Sequence, residues 1–319
     1  MYTIVSHLDT LLNFFDKDNE YIFSEDNDNF HVDLVKMKEG NIKIAVFAIF
    51  VEPGYKSDRA LYRTLEILDK FLSLIEDHEE LKIIKNYQDI KMVIENDKIG
   101  IMLSIEGAEG IRDLSILRIM HRLGVRMISL TWNQRNHLAD GVLESQTNGG
   151  LSLMGRKMLA QMEALDIIID VSHISEAGFW DIMKYFQKPV LASHSNVMSI
   201  CPHPRNLADE QIIALTERNG VIGINFAPFF ITDRKKVDIN DIIKHIDYIR
   251  DLVGIESVIL GTDYDGIQQT PIGLENISCL KNLKLKLYEN DYSREEIEKI
   301  FYKNALNFFE KFWGVGLNS

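Results

Sequence analysis

The sequence predicts an α/β fold, a (β/α)8 or TIM barrel formed as a single domain by residues 1–319. Eight short apolar runs alternate with helical patterns, which is the count and order of such a barrel. Several of these runs end in histidine, aspartate or glutamate. The alternative is an open doubly wound sheet, but no predicted strand is followed by a glycine-rich phosphate-binding loop.

The clearest β-α-β unit lies between residues 167 and 206. An apolar run, Ile167–Val171, is followed closely by His173, and a helical pattern comes next. A second apolar run, Pro189–Ala192, is followed closely by His194. Parallel strands deliver their carboxyl ends to the same edge of a sheet, where α/β folds bind ligands. Two histidines at this edge indicate a metal site.

The predicted strands are short runs rich in β-branched and aliphatic residues. In chain order they are Tyr2–Leu8, Asn41–Val51, Lys98–Ile105, Val125–Thr131, Ile167–Val171, Pro189–Ala192, Gly220–Phe226 and Ser257–Gly261. The second run, NIKIAVFAIFV, is almost continuously apolar, as is typical of a strand buried on both faces.

The predicted helices lie between and after these strands. They are Ser57–Leu81, Tyr87–Glu95, Ile111–Leu123, Ser152–Leu165, Leu207–Arg218, Ile239–Val253 and Ser293–Phe312, with one more between the fifth and sixth strands. In Ser57–Leu81, leucine and isoleucine recur at helical spacing, which indicates an amphipathic helix. Gly124 follows Ile111–Leu123 in the position of a C-cap. The polar, acidic segment 16–29 is predicted to be a loop.

Composition narrows the class of protein. The chain is 46% hydrophobic and 26% charged, as is ordinary for a soluble globular protein. Its formal net charge of -13 argues against nucleic acid as a partner, because phosphate binding requires a basic face. We find no apolar run long enough to span a membrane and no signal-peptide pattern. Cys201 and Cys279 are too few for a disulfide framework. A cytoplasmic protein is expected.

Residue types that bind metals lie at the ends of five predicted strands. They are His7 and Asp9, Glu106, His173, His194 and Asp263. Imidazole and carboxylate suit zinc and similar divalent ions, and three of each would suffice for two ions sharing a carboxylate. Each residue alone could instead be a cap or a hydrogen-bonded core residue, but their joint placement favours a metal site. His31, His78, His121 and His245 are interpreted as surface or packing residues.

These residues, in this order, resemble the membrane (renal) dipeptidases and their soluble bacterial relatives. The resemblance covers essentially the whole chain. The matching motifs are His7-x-Asp9, Ile105-Glu106-Gly107, Asp170-Val171-Ser172-His173, Ser193-His194-Ser195, Arg205-Asn206 and Gly261-Thr262-Asp263-Tyr264-Asp265-Gly266. Each motif alone is weakly specific, whereas the ordered set is highly specific.

The resemblance implies a (β/α)8 barrel that binds two zinc ions and hydrolyses dipeptides. His7, Asp9 and Glu106 would hold one zinc ion. Glu106, His173 and His194 would hold the other, so that Glu106 bridges the pair. Related amidohydrolases often use a carboxylated lysine from the fourth strand as the bridge. Here that strand ends without lysine, which is consistent with a glutamate bridge.

Two further roles follow from the same resemblance. Arg205 would hold a substrate carboxylate or a developing oxyanion with its fixed positive fork. Asp263 would move a proton to the leaving amine.

The chain departs from the family after the fourth strand. Several members carry a histidine directly after Leu-Thr, where it contacts the substrate, whereas this chain has Trp132. An indole offers one N–H donor and accepts no proton. We therefore expect Trp132 to line the substrate site and to change substrate choice while metal binding is preserved. His137, five residues further on, is a candidate to reach back.

The predicted function is that of a binuclear zinc-dependent dipeptidase, with a D-residue at the carboxyl-terminal position as one substrate variant. Two alternatives stay open from the sequence. One is another metal-dependent amidohydrolase that acts on cyclic amides or N-acyl amino acids, and the other is a catalytically silent metal-binding barrel. The combined presence of Arg205 and Asp263 argues against the silent barrel. The expected partner is a small dipeptide, with neither nucleic acid nor membrane, and a homodimer is allowed.

Overall fold

The computed structural model describes residues 1–56 and 58–314, and its centre is a closed barrel of parallel strands. In chain order the strands are β1 (Thr3–Leu8), β2 (Ile42–Phe50), β3 (Leu81–Ile83), β4 (Ile99–Glu106), β5 (Val125–Ser129), β6 (Ile168–Asp170), β7 (Leu191–Ala192), β8 (Val221–Ile224) and β9 (Val258–Leu260). Neighbours follow the order β2-β1-β9-β8-β7-β6-β5-β4, and pairing of β2 with β4 closes the barrel. The short β3 is extra and pairs with the first residues of β4. The predicted (β/α)8 fold is confirmed.

Helices surround this barrel. They are α1 (Leu34–Glu39), α2 (Ala60–Asp77), α3 (Tyr87–Glu95), α4 (Leu114–Leu123), α5 (Leu153–Ala164), α6 (Glu176–Tyr185), α7 (Asp209–Glu217), α8 (Pro228–Ile231), α9 (Ile239–Val253), α10 (Leu280–Glu289), α11 (Arg294–Glu298) and α12 (Asn304–Trp313). A π-helical segment, Lys299–Lys303, joins α11 to α12. Across residues 1–56 and 58–314, no helix combines the length and apolar character needed to cross a membrane.

The structure differs from the sequence prediction at several short elements. The helix predicted as Ser57–Leu81 is observed as the shorter α2, Ala60–Asp77. Leu81 belongs instead to β3, where it pairs with Ile99. Ser57 lies outside the described residues. The helices α1, α8 and α10 were not predicted. The first two have six and four residues, too few to display a period. In α10, leucine and lysine partly alternate, which obscures the helical pattern.

Small residues inside the barrel determine the position of the segment that follows β7. A Cβ atom at Gly223 or Gly261 would overlap the carbonyl oxygen of Ser193, so neither position accommodates a side chain. From β1, the Ser6 hydroxyl lies 2.7 Å from the same oxygen and donates a hydrogen bond to it. These contacts set the position of His194, the next residue along the chain.

His245 on α9 anchors the same segment from the outside. Its side chain is fully buried, and its Nδ1 accepts a hydrogen bond from the N–H of Val197 at 3.1 Å. Its Nε2–H donates to the carbonyl of Ile231 at 2.9 Å. Burial lowers the pKa of His245 to about 4, so the folded protein holds it as a neutral imidazole. The interpretation of His245 as a packing residue is confirmed.

We predict that His245→Ala lowers the free energy of unfolding by about 2–4 kcal/mol at pH 7, because it leaves a cavity and two unpaired backbone groups. In wild type, the folded pKa of about 4 lies below the ordinary 6.5. The stabilisation from the neutral ring is therefore complete above pH 6.5 and is lost as the pH falls toward 4.

Between pH 7 and pH 5 the contribution of His245 to the free energy of unfolding of wild type falls by about 2 kcal/mol. His245→Ala has no such contribution to lose. Urea unfolding of both proteins at the two pH values measures the difference. His78→Ala, at the carboxyl-terminal end of α2, is the matched control. Equal pH dependence of stability in wild type and His245→Ala would contradict the assignment.

Candidate active site

The structure brings six of the residues singled out in the sequence together at the carboxyl edge of the barrel. They are His7, Asp9, Glu106, His173, His194 and Asp263, each with at most 9% of its surface exposed. His7 lies in β1 and Glu106 ends β4, while the other four stand within the first few residues after their strands. Because all barrel strands are parallel, residues far apart in the chain converge here.

Two sets of donor atoms share Glu106. Its Oε1 lies 2.7 Å from Nε2 of His173 and 3.5 Å from Nε2 of His194. Its Oε2 lies 3.7 Å from Nε2 of His7, which in turn lies 3.6 Å from Oδ2 of Asp9. Within each set the potential ligand atoms lie within 4.8 Å of one another. Each set can surround one ion, with the Glu106 carboxylate between the two.

The electrostatics of these residues fit divalent cations. Burial and the charge of Asp9 raise the pKa of Glu106 well above its ordinary value. Burial lowers the pKa of His7, but the charge of Glu106 and the contacts with Asp9 outweigh it and raise that pKa to about 10. Within the described part of the chain, Nε2 of His7 and Oδ1 of Asp9 are buried without a hydrogen-bond partner. These carboxylates attract positive charge, and a metal ion would supply it.

Hydrogen bonds on the outer side of two histidines fix which ring nitrogen faces Glu106. The Nδ1–H of His173 donates to Oδ1 of Asn133 at 2.8 Å, and the Nδ1–H of His194 donates to Oγ of Ser193 at 2.7 Å. Both Nε2 atoms therefore carry the lone pair. Burial lowers the pKa of both rings well below the ordinary value, which keeps them neutral, as metal ligation requires.

Asp170 lies near His7 and His194, but hydrogen bonds occupy its carboxylate. Its Oδ1 accepts from the Ser172 hydroxyl at 2.6 Å and from the N–H of Ser193 at 2.9 Å. Its Oδ2 accepts from the Ser193 hydroxyl at 2.6 Å. Since that hydroxyl donates to Asp170, it is free to accept from His194. Asp170 therefore orients an imidazole and is poorly suited to bind an ion directly.

Arg205 lies beside this group as a buried cation. Its Nη2 is 3.1 Å from Nε2 of His173 and donates to the carbonyl of His194, also at 3.1 Å. Its Nε and Nη1 have no hydrogen-bond partner among the described residues. Burial lowers the pKa of Arg205 to about 10, so the guanidinium stays charged at neutral pH. The centre of the Phe230 ring lies 5.4 Å from the guanidinium carbon, within the range of a cation–π contact.

Asp263 is held in one orientation by Asn225. The Nδ2–H of Asn225 donates to Oδ2 of Asp263 at 2.9 Å, while Oδ1 of Asn225 accepts from the N–H of Ala227 at 2.6 Å. The other carboxylate oxygen of Asp263 lies 3.9 Å from Nε2 of His7. Burial raises the pKa of Asp263 to about 6, against the opposing influence of His7. This carboxyl can therefore exchange a proton near neutral pH.

Asp265 and His31 form a support beneath the site. Oδ2 of Asp265 accepts from the Thr10 hydroxyl at 2.8 Å, and Oδ1 accepts from the N–H of His31 at 2.8 Å. The N–H of Asp265 donates in return to Nδ1 of His31 at 3.0 Å. His31, interpreted from the sequence as a surface or packing residue, is thus a packing residue. It supports the loop that contains Asp263 and Asp265.

A cleft of about 240 Å³ opens above the donor atoms, and Trp132 lines it. The indole ring lies 5.1 Å from the ring of Phe50 and 6.1 Å from that of His173. His137 does not reach this cleft. Its Nε2 bonds to the carbonyl of Ile111 at 3.0 Å, and its side chain lines a neighbouring surface cleft.

Sequence reasoning did not single out Asn133, Asn225 or Phe50. Asparagine in a loop is common, and neither spacing nor composition marks one that will meet a histidine or an aspartate from another strand. Phe50 could have been noticed, because it ends the apolar run of β2 at the same edge as the predicted metal ligands.

Comparison with known proteins identifies the family. The model of the membrane dipeptidase family, peptidase family M19, matches residues 1–315. An uncharacterized dipeptidase of Schizosaccharomyces pombe is 34% identical over 304 residues, which cover 88% of this chain and 72% of that protein. Dipeptidase tcpJ of Claviceps purpurea is 29% identical over 293 residues, which cover 86% of this chain and 68% of that protein.

Solved structures share the fold. A metallopeptidase from Rhodobacter sphaeroides, liganded with a phosphinate mimic of the dipeptide L-Ala-D-Ala, superimposes with a TM-score of 0.89 at 23% sequence identity. The match covers 98% of this chain and 99% of that one. With the family model spanning nearly the whole sequence, the chain belongs to the membrane dipeptidase family, peptidase family M19, and is a metallodipeptidase.

Proposed function

We propose that this chain is a binuclear zinc dipeptidase in which the whole barrel acts as one catalytic domain. The observation that carries the proposal is the pair of overlapping donor sets that share Glu106. One set adds His7 and Asp9, and the other adds His173 and His194. Nitrogen and oxygen donors of this kind suit zinc, and a shared carboxylate is a common bridge between two ions.

The bound ions would polarise the scissile carbonyl group and lower the pKa of a water molecule to make a nucleophile at neutral pH. The chain itself supplies orientation and proton transfer. Asn133 and Ser193 hold the two imidazoles of the second set with their Nε2 atoms facing Glu106. Because both contacts are made by the protein itself, they pre-orient the two imidazoles for metal binding.

Arg205 is proposed to hold negative charge on the substrate. Only 3% of the Arg205 surface is exposed, yet two of its nitrogen atoms, Nε and Nη1, have no hydrogen-bond partner among the described residues. A buried guanidinium with free donors favours a carboxylate or the oxygen of a tetrahedral intermediate. Phe230 adds a cation–π contact that holds the guanidinium beside the site.

Asp263 is proposed to carry the proton that the leaving nitrogen requires. Asn225 anchors Oδ2, which leaves Oδ1 directed toward His7 and the donor atoms around it. A carboxyl group with a pKa of about 6 can take a proton from a water molecule and return it to an amine during one turnover.

The substrate details are also part of the proposal. The phosphinate in the Rhodobacter sphaeroides neighbour mimics L-Ala-D-Ala, which supports tolerance of a D-residue at the carboxyl-terminal position. A panel of dipeptides, cyclic amides and N-acyl amino acids separates a dipeptidase from the amidohydrolase alternative. The cytoplasmic location and the homodimer stay predictions.

We predict that the protein, purified without chelator, carries close to two divalent ions per chain. Glu106→Ala should lose both ions because it removes the shared ligand, whereas His194→Ala should mainly weaken one. Elemental analysis of the dialysed proteins measures this directly. The control is Glu95→Ala at the exposed end of α3, which should keep both ions. Full occupancy in Glu106→Ala would exclude the bridge.

We predict that Asp263→Asn lowers kcat by about 10²- to 10⁴-fold, the usual contribution of a general acid–base group, because the amide cannot carry the proton. Metal content and folding should be little changed, since Asp263 is not needed to complete either donor set. Steady-state kinetics with elemental analysis tests both parts. Asp251→Asn, on the outer face of α9, is the matched control. Loss of an ion would make Asp263 a ligand, and near-normal turnover would assign the proton transfer elsewhere.

A further inference from the structure

The cleft above the donor atoms has apolar side chains on two sides. On one side stand residues that follow or end β1, β2 and β5, and on the other stand residues that follow β8 and β9. The first group is Leu12, Phe50 and Trp132, and the second is Phe229, Phe230 and Ile267. Polar groups of the candidate site line the same cleft, among them Asp9, Glu106, His173 and Asp263. A dipeptide that spans the site therefore meets two different apolar surfaces.

The first surface is held in a fixed arrangement. The rings of Phe50 and Trp132 lie 5.1 Å apart and are inclined at 56°. Nζ of Lys56 lies 5.1 Å from the centre of the indole ring. That ammonium group donates to Oε1 of Glu109 and to Oε1 of Gln134, both at 2.8 Å. Lys56 therefore supports the indole by a cation–π contact, while Glu109 neutralises its charge.

The position of Arg205 gives the substrate a direction. Trp132 follows β5, and Arg205 follows β7, so that β6 and His173 lie between them in the barrel order. Phe230, on the second surface, lies beside the guanidinium. If Arg205 holds the carboxylate of the dipeptide, the carboxyl-terminal residue lies on the Phe230 side. The amino-terminal residue then extends toward Trp132.

We propose that the surface formed by Phe50 and Trp132, the aromatic wall, binds the side chain of the amino-terminal residue and selects dipeptides in which that side chain is apolar. This inference rests on the proposed dipeptidase function and adds a substrate class to it. An apolar side chain against the wall leaves water and contacts two ring faces. A charged side chain there would lose hydration, because Lys56 is already paired with Glu109.

Kinetics with the metal-loaded enzyme tests the proposal. Wild type is assayed with Gly-Ala, Ala-Ala, Leu-Ala, Phe-Ala, Glu-Ala and Lys-Ala, so that only the amino-terminal side chain varies. We expect kcat/KM for Leu-Ala and Phe-Ala to exceed that for Gly-Ala by on the order of ten- to a hundredfold, the usual discrimination by an apolar pocket. Glu-Ala and Lys-Ala should be the poorest substrates.

Two variants locate the selectivity. Phe50→Ala and Trp132→Ala should each reduce kcat/KM for Leu-Ala and Phe-Ala by about tenfold or more and change Gly-Ala much less. Trp132→Phe keeps an aromatic ring and should retain most of the preference. Trp180→Ala is the matched control, because Trp180 is a partly exposed tryptophan on α6, away from the cleft. Metal analysis accompanies every variant.

Fluorescence gives a readout that does not depend on turnover. The chain has three tryptophans, Trp132, Trp180 and Trp313, and Trp132 lines the cleft. A phosphinate mimic of Leu-Ala should shift the tryptophan emission of wild type and of Trp180→Ala. It should leave the emission of Trp132→Phe nearly unchanged.

The outcomes are distinguishable. Equal kcat/KM across the amino-terminal series in wild type overturns the proposal, as does an unchanged ranking in both alanine variants. If those variants instead lose selectivity in the reversed series, Ala-Gly to Ala-Phe, the wall binds the carboxyl-terminal residue and the assigned direction is wrong. Failure of wild type to hydrolyse any dipeptide overturns the proposed function itself.

Discussion

The burial of Glu106, which belongs to two sets of potential metal-ligand atoms, is the constraint on which the site depends. A carboxylate removed from water is costly to the folded protein unless positive charge compensates it. Here the acids Asp9 and Asp263 lie nearby as well, so the negative charge is concentrated further. The arrangement is therefore suited to cations, and it explains why His7 lies among carboxylates without an ordinary hydrogen-bond partner for Nε2 in the described structure.

Polar residues from other loops keep this group in place. Asn133 and Ser193 each accept a hydrogen bond that orients a neighbouring imidazole, and Asn225 donates one that orients the carboxylate of Asp263. Asp170 supports Ser193 in turn, and buried His245 holds the segment that follows β7 from the outside of the barrel. Orientation in the site thus depends on a chain of contacts that reaches from the barrel interior to α9.

Charge and apolar surface are presented by different side chains, in the cleft and beside it. Arg205 offers unpaired donors and full charge next to Phe230, whereas Trp132 and Phe50 present aromatic surface whose neighbouring cation is already neutralised. A charged group of the substrate and an apolar side chain therefore find separate surfaces. Asp9, Glu106 and His173 line the same cleft as Phe50 and Trp132. The side chains proposed to select a substrate are therefore distinct from those suited to hold metal ions, although they share one cleft.

The sequence by itself determined the barrel and the donor set, because both depend on local pattern. Apolar runs mark parallel strands, and the residues after them, such as His173 and His194, must meet at one edge. Only the tertiary structure decided which residues support them. Asn133 bonds to His173, and Asn225 bonds to Asp263, across 40 and 38 positions of the chain. Such contacts depend on how loops from different strands turn over the barrel, and no local spacing encodes that.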